Sequence, residues 1–431
     1  MTGQRAWRSA AGVALVALGS VSGCTTSGDR PEPGLPYVKI GVLDPTSGAN
    51  ATTGLDARHG AELAAEIVNG EHSGISLPLA RARGLPRLGN AKLRLVFADT
   101  KGDPDTGARE VERLVTDERV VALTGAYQSA VTKTASERAE RLKVPFVNGD
   151  SSSTELTSRG LDYFFRTGPS DLTFGQPFFS LIKERQGAGE RVSSIAILHT
   201  TDQYGSDGAR VTTELATEFG LRVALDVGYD AQTTDLTPYV RQVRAADPDV
   251  LFVLSYITDS LLLQRAFDQL DYLPPAVMGY GAGFSDPRFI AGREHRANAE
   301  GLVRRTSWSP QIAARNPTAK RIAQLFQRTF GDPMTENSAR AFTAVMTLAL
   351  AVNEAGTPDP DQIRSALQNT DIAGRDLIVP WDGVKFDDNH QNSGARGVIE
   401  QYLGGEWQVV YPRDVASREI VWPAADAPGR G

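Results

Sequence analysis

The chain has 431 residues, more than one hydrophobic core usually serves, so two lobes are expected. Its 41% hydrophobic and 23% charged residues are ordinary for a soluble globular protein. A net charge of −7, from 45 basic and 52 acidic residues, argues against nucleic acid as a partner, because phosphate binding needs a basic surface.

The N-terminus differs from the rest. Arg5 and Arg8 give a positive start, residues 11–21 form a short apolar run, and Val21-Ser22-Gly23-Cys24 follows. That order reads as a secretory signal over residues 1–23. Cys24, the only cysteine, stands where a lipoprotein signal peptidase needs it, after an aliphatic and two small residues. It is the candidate lipidation site, since two acyl chains anchor a protein stably. The plainer reading is a chance cysteine in an ordinary signal. Residues 24–36 are a Ser/Gly/Pro-rich tether. With one cysteine there is no internal disulfide, and no later run reaches the ~18 apolar residues of a membrane-spanning helix.

Residues 38–43 (VKIGVL) predict a strand, followed by a Gly/Thr/Asn-rich loop and a helix over 56–69 with Ala61, Ala64, Ala65 and Val68 on one face. Residues 70–92, rich in Gly, Pro and Arg, look like an inserted loop. Strand character returns at 93–97, and Asp103-Pro104 starts a helix as N-cap and first turn. Residues 120–124 and 144–147 are apolar runs, each ending in a loop of small and hydroxylated residues, with helical spacing over 129–143 between them. Such alternation indicates βαβ units and a parallel sheet, and ligands collect beyond the carboxyl ends of its strands. Tyr127, Gln128 and Ser129, then Asp150, Ser151 and Ser152, fall there. The rhythm repeats: helix 172–184, strand 194–198, helix 207–219, strand 222–227, a helix from Thr237-Pro238, strand 250–254, helix 258–269 and strand 276–279, which ends at Tyr280. Helices follow from Asn316-Pro317, over 338–355 and from Asp359-Pro360. Residues 385–388, 397–403 and 406–411 alternate as antiparallel strands do. The Pro/Ala/Gly-rich tail, residues 414–431, is expected to be loose.

No catalytic or metal constellation emerges. The five histidines lack the spacing of a zinc pair. Gly279, Gly281 and Gly283 fail as a dinucleotide motif because Phe284 stands at the last glycine position. There is no phosphate loop and no nucleophile elbow, and 387–390 lacks the glycine of a calcium loop. We expect no enzyme and no cofactor.

Several pieces, in this order and spacing, resemble one family. They are IGVLDPTSGANATTGLDARHGAELAAEIVNG, DTKGDPDTGAREVERLVTDERVVALTGAYQSA, VPFVNGDSSSTELTSRGLDYFFRTGPSD, HTTDQYGSDGA and the closing GEWQVVYP. The chain is similar to type I periplasmic solute-binding proteins of ABC importers, the leucine/isoleucine/valine-binding group. The resemblance implies an α/β fold of two Rossmann-like lobes with parallel central sheets, 37–168 plus 309–378 and 169–308 plus 379–413. Three crossovers would join them, near 166–170, 306–310 and 375–381. It implies a ligand clamped in the cleft, an ABC permease as partner and an extracytoplasmic place on the membrane; a sensor of the same fold, docking on a membrane receptor, is the alternative. Ser129 and Ser152 match the family's carboxylate contacts, Asp171 the acid near the ligand ammonium, and Tyr204 the tyrosine closing from the second lobe, with Tyr256 near another contact. Both serines also suit helix N-caps, Asp171 a cap of the next helix, and the tyrosines plain packing. Two departures stand out. No acid follows Gly279, where several members grip the amino group, and Asp150 occupies a position that is often small, where its charge would repel a ligand carboxylate. Both put an ordinary branched-chain amino acid in doubt and leave room for a polar amide or urea-like solute.

Overall fold

The computed structural model describes residues 36–291 and 293–427; the signal segment, Cys24 and nearly all of the tether lie outside the described residues. The first sheet is built from β1 (Tyr37–Asp44), α1 (Ala51–Asn69), β2 (Lys92–Asp99), α2 (Pro104–Thr116), β3 (Ala122–Gly125), α3 (Ser129–Leu142), β4 (Phe146–Asn148) and β5 (Phe164–Arg166). Its order is β2-β1-β3-β4-β5, all parallel. Asp103 caps α2 as the sequence predicts, its side chain accepting the Thr106 amide.

The second sheet follows with α4 (Asp171–Gly187), β6 (Ser194–Thr200), α5 (Gln203–Glu218), β7 (Arg222–Tyr229), α6 (Thr237–Ala246), β8 (Val250–Leu254), α7 (Ile257–Leu270), β9 (Ala276–Gly279), α8 (Arg293–Ala299) and β10 (Val303–Thr306). The chain then returns to the first sheet through α9 (Pro310–Ala313), α10 (Pro317–Phe330), α11 (Glu336–Ala355) and α12 (Pro360–Gln368). A small ribbon, β11 (Asp371–Ala373) and β12 (Gly383–Lys385), precedes β13 (Val398–Leu403) and β14 (Glu406–Tyr411). The second sheet reads β14-β13-β10-β9-β8-β6-β7, with only β13 and β14 antiparallel to their neighbours.

Each sheet is buried on both faces. One face of the first packs on α1 and α11, with Leu63, Ile67, Val345 and Leu348 fully covered; the other packs on α2 and α3. Residues 70–92, expected as an insertion, lay Ile75, Leu77, Leu85 and Leu88 onto the α1/α11 core. The tail is also corrected: the Ala424 amide donates to the Pro275 carbonyl at 2.7 Å, and Ala424 and Ala427 are buried. The third passage comes later than 375–381. Residues 390–392 still bond to Arg166 on β5, so the chain leaves the first sheet only after them.

In both sheets the strand order reverses beside a central strand, between β1 and β3 and between β6 and β8, which is where open α/β sheets bind ligands. At the first reversal the chain kinks through Gly125 (φ +104°) and Ala126 (φ +58°), lifting Tyr127 over the sheet end. A Cβ on Gly125 would lie 2.1 Å from the Leu43 carbonyl oxygen, so no other residue fits. Gly125→Ala should therefore lower stability by at least ~2 kcal/mol, measured by chemical denaturation; an unchanged midpoint would show that the kink tolerates a side chain.

Candidate ligand-binding cleft

The loops after β3 and β4 are welded together. The Asn148 amide donates to the carbonyls of Gly125 (2.7 Å) and Ala126 (3.0 Å), while its oxygen accepts the Ser151 amide (3.0 Å). The Ser151 hydroxyl bonds Thr132 at 2.6 Å and the Ala126 carbonyl at 3.0 Å, so it serves the loop itself. Ser129 is not the N-cap of α3; Gln128 holds that position without a side-chain cap. Ser152 caps no helix, and Ser170 rather than Asp171 caps α4, accepting the Thr173 amide at 3.2 Å.

The facing wall comes from the second sheet. α5 begins at Gln203, earlier than predicted, so Tyr204 sits in its first turn, with Asp202 as the cap. The Tyr204 hydroxyl donates to the Tyr280 carbonyl at 3.3 Å. Tyr256 stands at the N-cap of α7, its hydroxyl buried beside Asp202. Its ring meets Tyr127 at 5.9 Å and Tyr204 at 5.4 Å between centroids, so three tyrosines run from one wall to the other.

Tyr127, Ser129, Asp150, Ser151, Ser152, Tyr204 and Tyr256 line one small cavity of about 20 Å³, together with Arg305, Glu336, Asn337 and Arg340. That is room for roughly a single water. The walls are clasped shut around it: Thr154 donates to Asp207 at 2.8 Å, Arg210 to Thr154 at 2.7 Å, and Thr53 to Asp286 at 3.0 Å. Gln128 is not brought in; its amide nitrogen packs where a Cβ on Gly102 would be. Tyr280 belongs to the core, with Phe178 and Phe252 around it and Thr212 donating to its hydroxyl at 3.0 Å. Asp171 lies behind the lining, fully buried, its amide bonded to the Ser152 carbonyl at 2.7 Å.

A family model described as periplasmic binding protein matches residues 37–399. The chain belongs to this family of periplasmic binding proteins. Leu/Ile/Val-binding protein homolog 7 of Brucella suis is 26% identical over 392 residues, covering 90% of this chain and 94% of that one. Two solved structures share the fold. LivJ of Streptococcus pneumoniae, a branched-chain amino acid transporter substrate-binding protein in complex with isoleucine, superposes with a TM-score of 0.72 at 20% identity, over 90% of this chain and 100% of that one. A solute-binding protein of an ABC transporter from Rhodopseudomonas palustris, in complex with 3,4-dihydroxybenzoic acid, gives 0.72 at 18%, over 92% and 100%.

This periplasmic binding protein carries a cluster of charge under its cleft, which sequence reading missed. Arg305 of β10 pairs with Glu336 at 3.0 Å; Arg340 of α11 lies 3.6 Å from Glu336 and 3.6 Å from Asp150. Arg305 covers the Phe174 ring at 3.6 Å and lies over Gly281, where a Cβ would strike its guanidinium carbon at 2.4 Å. An arginine thus fills the space beside the segment after Gly279, where no acid stands. Burial works against the Glu336 charge, yet Arg305 and Arg340 hold its pKa below the ordinary value. Burial pushes Asp150 up to about 6, with Arg340 opposing. The expectation of a free Asp150 repelling a carboxylate is corrected, because Arg340 neutralises it. The available signal was Arg340 itself: it stands at helical spacing with Ala344 and Thr347 on a buried helix, and arginine is almost never fully buried unless paired.

Burial also pushes Asp171 up to about 6, against the neighbouring Ser152 hydroxyl. A raised carboxyl binds its proton more tightly when folded, so its contribution to stability falls as pH rises from about 4 to about 6. Asp171→Asn removes that loss. Its stability relative to wild type should be greater at pH 8 than at pH 4.5 by about 2 kcal/mol in urea denaturation, and equal differences at both pH values would refute the assignment.

Proposed function

We propose that the chain is an extracytoplasmic solute-binding protein, lipid-anchored through Cys24, that captures a small polar metabolite and delivers it to an ABC permease. The observation that carries this reading is the convergence of Ser129 and Ser152 from one sheet with Tyr204 and Tyr256 from the other on one enclosed space at two strand-order reversals. The ligand class is an amino acid, amide or urea-like solute. Ser129 and Ser152 hydroxyls would hold its carboxylate or carbonyl, and Tyr204 would close over it, by short charge-assisted hydrogen bonds in a dry cleft; Asp171, behind the lining, would act only through Ser152. Isoleucine and 3,4-dihydroxybenzoic acid, bound by two proteins of this fold, both carry a carboxylate, which supports that pairing. No enzyme chemistry is needed, and closure would occur by a hinge at the three passages between sheets.

Isothermal titration with amino acids, amides, urea and short polyols should give saturable heat with at least one member, and folded protein silent to all of them would count heavily against capture. Ser129→Ala combined with Tyr204→Phe should weaken that binding by about tenfold or more while leaving the melting temperature nearly unchanged; normal binding would move the pocket elsewhere. For the anchor, Cys24→Ala should shift the protein from the membrane fraction to the soluble fraction on cell fractionation, and unaltered membrane retention would exclude lipidation at Cys24.

A further inference from the structure

Beside the small polar cavity lies a chamber of about 510 Å³. Its walls are the first turns of α1, the residues leading into α11, the segment 285–290 after β9, and the passage after β10. Glu336 lines both spaces, but its carboxylate is occupied by Arg305 (3.0 Å), Ser307 (3.0 Å) and Ser285 (3.0 Å), so a satisfied network separates them. The chamber falls within the ~300–1,000 Å³ typical of small-molecule sites; the polar cavity is far below it.

The lining fixes the chemistry of an occupant. Trp308, Trp407, Met334 and Ile290 give it apolar walls. Most of the charges are already answered: Asp286 by Arg288 (2.8 Å), Arg304 by Glu400 (2.8 Å), and His59 lies flat on Phe330 at 4.3 Å. Among the described residues, no cation pairs with the carboxylates of Asp56 and Asp332, which line the chamber. Asp56 accepts hydrogen bonds from Thr335 and the Ser338 amide, and burial raises its pKa to about 7, as expected of an acid without a counter-charge.

We propose that this chamber is a second binding site, for a small organic amine with a ring-bearing apolar body. The ammonium pairs with Asp56 and Asp332, and the ring packs among Trp308, Met334 and Ile290. Water is excluded by the ring, which strengthens the ion pair at Asp56. The inference stands on the chamber alone and does not depend on what the serine-lined cleft binds.

Titration of the full-length protein with tyramine at pH 8, followed by tryptophan fluorescence and calorimetry, tests it. Tyramine should bind saturably. The anion of the same size, 3-(4-hydroxyphenyl)propionate, should bind at least about tenfold more weakly. Asp56→Asn should weaken tyramine by about tenfold or more; Ile290→Trp, at a half-buried position that fills the chamber without touching the Asp56 hydrogen bonds, should do the same. The Ser129→Ala, Tyr204→Phe variant should bind tyramine as wild type does. No saturable binding up to millimolar tyramine, equal binding of the anion, or loss of binding in the Ser129/Tyr204 variant alone would each overturn the proposal, the last by placing the amine in the cleft.

Discussion

The fold closes on a buried knot of charge. Arg305 leaves the second sheet, Glu336 and Arg340 stand on the helix that covers the first, and Asp150 ends β4. None is more than a few per cent exposed. Taking four such groups out of water is expensive unless each meets its opposite, and removing one partner of a buried pair typically loses ~3–5 kcal/mol. Glu336 therefore has to lie between the two arginines, and that requirement sets how the second sheet seats against α11. Phe174 beneath Arg305 and the bare backbone of Gly281 above it give the guanidinium a slot with no slack.

Around that knot the cleft acquires its character. The serine loops are held by their own backbone carbonyls through Asn148 and Ser151, which leaves Ser129 and Ser152 as the hydroxyls facing the gap. The tyrosines bring rings rather than charges, and burial raises each of their hydroxyl pKa values, so they act as neutral hydrogen-bonding groups. The serine hydroxyls and the Asp150–Arg340 pair thus stand on the side of the first sheet and Arg305 on the second, while aromatic rings come from both.

The parallel strands and the helices between them were legible in the amino-acid order because short apolar runs and helical spacing are local signals. The N-caps at Asp103, Asn316 and Asp359 were legible for the same reason. β5 and β10 went unseen, being only three and four residues long and carrying arginines that look exposed until their partners, Gln391 for Arg166 and Glu336 for Arg305, are known. Seven of the ten candidate residues meet at one cavity since they follow strands at, or next to, the reversals of sheet order. Tyr280 does not, because its ring turns inward to fill a gap among phenylalanines; nothing in its neighbours along the chain distinguishes that outcome from the other. The tail was misread from its composition, yet proline- and alanine-rich segments pack well when a backbone such as that of Pro275 offers a partner.

One more consequence follows from the Tyr127–Tyr256 contact. Tyr127 is rooted in the first sheet but shares a hydrophobic cluster with residues of the second. Aromatic pairs of this kind contribute about 0.5–1.5 kcal/mol beyond their buried area, whether or not a guest is present. The clamp accordingly carries an intrinsic bias toward being shut. Only the fraction of molecules that are ajar can admit a guest, and apparent affinity is diluted by that fraction. Trimming Tyr127 would thus shift that balance toward the ajar form while leaving the serine hydroxyls in place.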